Sequence, residues 1–117
     1  DNTFKYANGG HNSIPILLNK NGFELLTATG FPISYLFESI EYEERCIKLN
    51  RKDKMVLYTD GIIEAKNKHR EQFGVDRLSN IVKESKGDLI ENIESEIYNF
   101  QYDEQEDDFA VVTMEIL

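Results

Sequence analysis

Cysteine is almost missing from this chain: Cys46 stands alone, so no disulfide can form within it. That usage fits a reducing compartment, and a cytoplasmic location is the expectation. Histidine is scarce as well. His11 and His69 are the only two, and with a single thiol they offer no zinc-binding pattern. No apolar run approaches the length of a membrane span, and Asp1-Asn2-Thr3 does not begin a signal peptide. Positive charge is in deficit, with 13 Lys and Arg against 22 Asp and Glu, a formal net charge of −9. A nucleic-acid backbone needs a basic stripe, so nucleic acid is excluded as a partner. The one basic cluster, Lys66 to Arg70, reads as a solvated helix end or turn. A phosphate-cradling glycine loop is also absent, because Asn8-Gly9-Gly10-His11 lacks the Lys-Ser/Thr ending that such loops need. Serine-nucleophile motifs are missing, and the acidic tail lacks the alternation and glycine of an EF-hand.

What remains fits one domain. The 117 residues are 40% hydrophobic and 30% charged, the balance of a globular chain with a modest core. The first half has strand character. Phe4 to Asn8 is short and β-prone. Ile14 to Leu18 and Phe23 to Thr27 flank Asn19-Lys20-Asn21-Gly22, a hairpin signal because Asn and Gly both tolerate positive φ. Thr29-Gly30-Phe31-Pro32 makes a turn or loop, and Tyr42 to Leu49 a polar-rich strand. Met55 to Thr59 shows no alternation, which predicts a central strand buried on both faces. It runs into Asp60-Gly61 and a helical stretch, Ile62 to Asn67.

The second half turns helical. Asp76 is placed to cap a helix carrying Leu78, Ile81 and Val82 on one face. Asp88 followed by Glu91 has the layout of a capping box. Beyond it, Ile90, Ile93, Ile97 and Phe100 recur at helical spacing, as core packing requires. The acidic stretch Gln101 to Asp108 leads to a last strand, Phe109 to Leu117. Strands, then helices, then one strand predict an α+β layered domain with a mostly antiparallel sheet. The start reads as that of an internal fragment, and the end as a strand closing a domain.

Two acidic positions are candidates for chemistry. Asp60 at a strand end is either a turn residue before a flexible Gly61 or a metal ligand on a rigid strand. In the second case Gly61 lets its backbone carbonyl approach the ion. Asp107, with Asp108 beside it, is either part of a solvated acidic loop or a second ligand sharing a hard divalent cation with Asp60. Oxygen ligands of this kind select Mg²⁺ or Mn²⁺. His11, in the Gly9-Gly10-His11-Asn12 turn, is either structural or able to donate to a phosphoryl oxygen.

Five segments carry a resemblance. They are Tyr6-Ala7-Asn8-Gly9-Gly10-His11-Asn12, Ala28-Thr29-Gly30-Phe31-Pro32-Ile33, Leu57-Tyr58-Thr59-Asp60-Gly61-Ile62-Ile63-Glu64-Ala65-Lys66-Asn67, Phe73-Gly74-Val75-Asp76-Arg77-Leu78 and Asp107-Asp108-Phe109-Ala110-Val111-Val112. In this order they resemble the SpoIIE/RsbU branch of the protein phosphatase 2C (PPM) family. The resemblance implies the C-terminal portion of a layered α-β-β-α sandwich. It also implies two bridged Mn²⁺ or Mg²⁺ ions whose bound water attacks phosphoserine or phosphothreonine. Asp60 and Asp107 fall on family metal ligands, Asp108 is a further candidate ligand, and His11 falls on the substrate side. The implied substrate is a phosphorylated STAS-type anti-sigma-factor antagonist, and the implied parent carries a sensor domain upstream.

The chain also departs from the family. An earlier strand with Gly-Asp-x-x-Asp, source of the bridging aspartate, and a later Gly-His-Gly segment have no counterpart here. Ile33-Ser34-Tyr35-Leu36-Phe37 lacks a further glycine common in relatives. These departures predict an incomplete metal centre and no turnover by the chain alone. A non-catalytic interaction module of the same fold is the alternative. A haloacid-dehalogenase reading of Leu57-Tyr58-Thr59-Asp60 fails, because it needs an aspartate two residues on and Ile62 stands there. Strand edges and apolar faces left uncovered predict a homodimer.

Overall fold

A computed structural model describes residues 2–30, 32–36, 41–102 and 108–117. Asp107, a candidate ligand, and most of the acidic stretch before it lie outside the described residues.

The chain forms two antiparallel sheets. β1 (Thr3–Tyr6) pairs with β4 (Arg45–Lys48), Phe4 opposite Ile47. β2 (Ile16–Asn19), β3 (Gly22–Leu25), β5 (Lys54–Tyr58) and β6 (Val111–Glu115) make a four-stranded sheet in the order β3-β2-β5-β6. The central strand is β5, as its apolar run predicts. The β2–β3 hairpin also forms where expected, with a different turn. Asn19 pairs with Gly22, so Lys20 and Asn21 are the turn residues. Gly22 alone of Asn21 and Gly22 takes a positive φ, 119°. The Asn19 side chain accepts from Asn21 N at 2.9 Å and shapes the turn in place of a left-handed Asn21.

Three helices follow β5: α1 (Asp60–Ile63), α2 (Gly74–Glu84) and α3 (Leu89–Phe100). The helical stretch expected to reach Asn67 stops at Ile63. Beyond it Asn67 Oδ1 accepts from His69 N and Glu71 N, and that local turn displaces the helix. The basic cluster therefore lies on an exposed turn. Asp76 does not cap α2. It sits inside the first turn, where its charge meets the helix dipole, and Phe73 occupies the cap without a side-chain bond. Asp88 caps α3 as expected, its Oδ1 accepting from Glu91 N at 3.1 Å.

Each face of the four-stranded sheet has its own core. On one, Ile16, Val56 and Tyr58 pack against Leu78 and Val82 of α2 and Ile93 and Ile97 of α3. Leu89, rather than the exposed Ile90, completes the α3 stripe. Phe100 stands edge-on to Phe73 with the Arg77 guanidinium over its ring at 4.6 Å. On the other face, Leu17 and Met55 pack with Leu26 and Leu49, and Phe4, Tyr6 and Ile47 of the smaller sheet close over them. The order of layers is helices, four strands, two strands.

Two strands cannot cover four. Leu57 is 41% exposed, Val112 62% and Met114 39%, so β5 is buried on both faces only over part of its length. No helix among the described residues is long and apolar enough to cross a membrane.

Candidate functional site

The C-terminal end of β5 gathers the residues that the sequence singles out. The unbroken run Met55-Val56-Leu57-Tyr58 holds the strand in the middle of its sheet and delivers Thr59-Asp60-Gly61 at the rim. Asp60 is half-buried there, at the first position of α1.

The start of β6 reaches the same rim. Thr59 N donates to Ala110 O at 3.0 Å, and the Thr59 hydroxyl donates to Asp108 O at 3.1 Å. That hydroxyl oxygen also accepts from Ala110 N at 3.0 Å. Gly61 passes so close to Asp108 that a Cβ on it would overlap the Asp108 carbonyl oxygen. Glycine here is a requirement of close approach rather than of backbone angle. Asp108 is thereby placed beside Asp60 and Gly61.

A third segment arrives from the other side of β5. Asn8 organises it: its Oδ1 accepts from Gly10 N at 2.8 Å and His11 N at 2.7 Å, and its Nδ2 donates to His11 O at 2.9 Å. The turn is held from beneath by Gly30, where any Cβ would collide with the Asn8 carbonyl oxygen. His11 then stands with Nε2 3.4 Å from the Tyr58 carbonyl oxygen, where a ring N–H donates. Two residues on, the buried Ser13 hydroxyl donates to Asp60 Oδ1.

Ser13 is the functional-site residue that sequence reasoning missed. Its only signal is its position just after the Gly-Gly-His-Asn turn. Tyr58, one strand position before the rim, has its phenol pushed up to about 12, first by burial and then by the negative charge of Asp60. It is a neutral phenol at physiological pH.

The described donors suit a hard cation. The Asp60 carboxylate and the Asp108 main-chain oxygen lie at one rim, oxygen donors of the kind such a cation takes. They are too few for a complete site. Among the described residues no three His, Cys, Asp or Glu side chains gather as a metal cluster.

A family model described as stage II sporulation protein E (SpoIIE) matches residues 1–117. The chain belongs to the SpoIIE family. Solved structures agree on the fold. The PP2C phosphatase domain of the cell fate determinant SpoIIE from Bacillus subtilis, with a fragment of its regulatory domain, superimposes with a TM-score of 0.77 at 22% identity. That match covers 97% of this chain and 34% of the other. The same phosphatase domain, presoaked with manganese, gives 0.72 at 19% identity, over 97% and 50% of the two chains. The RsbU and RsbW domains of a Mycobacterium tuberculosis protein give 0.64 at 22% identity, over 97% and 32%. RsbX in complex with magnesium gives 0.62 at 17% identity, over 96% and 48%. This SpoIIE-family chain thus spans about a third to a half of the length of the solved chains it matches. No curated protein matches it by sequence.

Proposed function

We propose that this SpoIIE-family chain is the C-terminal portion of a metal-dependent protein serine/threonine phosphatase domain. The observation that carries the reading is the meeting of Asp60 and Asp108 at one strand rim, through the Thr59 hydroxyl and the bare Gly61 backbone. Two acidic segments far apart in sequence are brought to one point, as a shared cation requires. Asp60 and Asp107 would hold the ion, with the Gly61 carbonyl and Asp108 beside them. Held there, a Mn²⁺ or Mg²⁺ ion would supply Lewis-acid activation of a water and neutralisation of phosphoryl charge. The chain's own residues do the rest. Ser13 orients the Asp60 carboxylate, and His11 faces the substrate side, where an N–H can donate to a phosphoryl oxygen.

The proposed substrate is a phosphoserine or phosphothreonine on a regulatory protein, a STAS-type anti-sigma-factor antagonist, with an upstream sensor domain in the parent. The parent would supply the bridging aspartate from a segment outside these 117 residues. A cytoplasmic setting fits the lone, exposed Cys46.

Phosphate release from a phosphoserine-bearing STAS protein tests the reading. A longer parent chain with a Gly-Asp-x-x-Asp strand should release phosphate with Mn²⁺, and Asp60→Asn should abolish the release. The 117-residue chain should release none. A parent that binds Mn²⁺ and leaves the phosphoprotein intact would overturn the assignment. A second reading, a non-catalytic interaction module, rests on the lack of a Gly-Asp-x-x-Asp strand in these 117 residues. Partner capture by a parent without turnover would support it.

A further inference from the structure

β1 runs straight into the turn that carries His11 and Ser13, and a polar cluster beside that strand fixes what the turn rests on. The turn rests on the loop around Gly30. Besides Gly30 beneath Asn8, a Cβ on Gly10 would meet the Pro32 backbone nitrogen at 2.8 Å, and one on Gly9 the Ile33 side chain at 3.2 Å. Turn and loop therefore touch at three successive residues, Asn8, Gly9 and Gly10, with no slack between them. A shift of the loop passes to Asn8, and from there to His11 and to the Ser13 hydroxyl that meets Asp60.

The loop cannot hold this place by itself, since its residues 27–30 and 32–34 lie in no helix or strand. Two side chains at the smaller sheet tie it down. Glu43, just ahead of β4, accepts from Thr29 N at 2.8 Å and is itself held by Arg45. Arg45 is the partner of Tyr6 across the ladder, and the Tyr6 hydroxyl donates to Thr27 O at 3.1 Å. The loop is thus pinned at Thr27 and Thr29, just ahead of Gly30. A bond from a backbone amide to an ionised carboxylate is stronger and more directional than a neutral one. Ion pairs in contact with solvent add little to stability, so this cluster serves placement more than folding.

We propose that Glu43, with Tyr6 beside it, is a positioning residue for the candidate site. It fixes the loop on which the turn of Asn8 to Ser13 sits, and through that turn it aims the Asp60 carboxylate. The consequence for metal binding rests on the functional reading above, whereas the placement of the turn does not.

Amide exchange read by mass spectrometry on a metal-free parent chain tests the placement, and Mn²⁺ titration of the same variants tests its consequence. Glu43→Ala should speed exchange several-fold in peptides spanning residues 8–13, where Gly10 N and His11 N depend on Asn8. Peptides of α3 should be unaffected. The Mn²⁺ Kd should rise, by less than the about 10–100-fold expected for a partner that touches the ligand itself. Glu43→Gln keeps an acceptor for Thr29 N and should restore most of the protection. Asp88→Ala, a loss of stability elsewhere, should leave exchange at residues 8–13 unchanged. Should Glu43→Ala fail to fold, Tyr6→Phe decides by the same peptides, since it removes only a hydroxyl.

Unchanged exchange at residues 8–13, or equal acceleration by Asp88→Ala, would overturn the proposal. So would an unaltered Mn²⁺ affinity in a variant whose turn exchanges faster. A parent that binds no Mn²⁺ at all would overturn the functional reading, and the exchange result would still decide this one.

Discussion

The Thr59 hydroxyl is bonded to the Asp108 carbonyl oxygen, in the segment that leads into β6. The hydroxyl donates to the Asp108 carbonyl at 3.1 Å while accepting from Ala110 N, two residues on, at 3.0 Å. One side chain thus fastens the end of β5 to the start of β6.

Gly61→Ala tests how tightly that joint is closed. The new methyl would overlap the Asp108 carbonyl oxygen, so backbone must move. We expect a loss of about 1–3 kcal/mol, as for overpacked interiors, read from urea unfolding. An unchanged midpoint would mean that the two segments are not in contact.

Ser13→Ala should separate orientation from folding. The alanine leaves Asp60 in place and removes the hydroxyl that aims its carboxylate. In a parent chain that binds Mn²⁺, affinity by titration calorimetry should fall about 10–100-fold, the scale of lost ligand-orienting bonds. Asp60→Asn, which keeps an acceptor for Ser13, should abolish the binding while the protein still folds.

Glu43 supplies a pH prediction. Its carboxylate accepts from Thr29 N at 2.8 Å and pairs with Arg45, and these hold its pKa near about 2, against a usual 4.5. A depressed carboxyl pKa stabilises the fold above the unfolded value and ceases to do so as pH falls through the folded one. The tie should be intact at neutral pH and weaken from about pH 4.5 down to about 2. A carboxyl carbon resonance of Glu43 that titrates near 4.5 would refute it.

Asp88→Ala should cost about 1 kcal/mol, the usual value of a lost N-cap. The Asp88 side chain answers the Glu91 amide at the start of α3, and three buried residues of that helix, Leu89, Ile93 and Ile97, depend on its placement. Circular dichroism through a thermal melt should show an earlier transition with the same end states.

Much of this was legible in the sequence, for local reasons. Met55 to Tyr58 forms the central strand because nothing polar interrupts it, and Asp88 caps α3 because a short acceptor precedes a helical stripe. Both outcomes need only neighbours in the chain. The exposure of Leu57 was not legible, since it depends on the width of a second sheet. The early end of α1 turns on one Asn67 side chain that competes for backbone amides. The bond from Ser13 to Asp60 joins residues 47 apart. No spacing rule connects a serine after one turn to an aspartate after another strand. Asp60 could be named as a candidate, but its orienting partner is visible only in the fold.

Gly30 acts on His11 at second hand. A Cβ there would run into the Asn8 carbonyl, and Asn8 shapes the turn on which the imidazole rides. Position 30 works as a spacer set to zero thickness. A single added methyl would lift the turn away from the end of β5 and carry off an imidazole that the methyl never meets. Drift in the loop around Gly30 is therefore paid for on the opposite side of the turn.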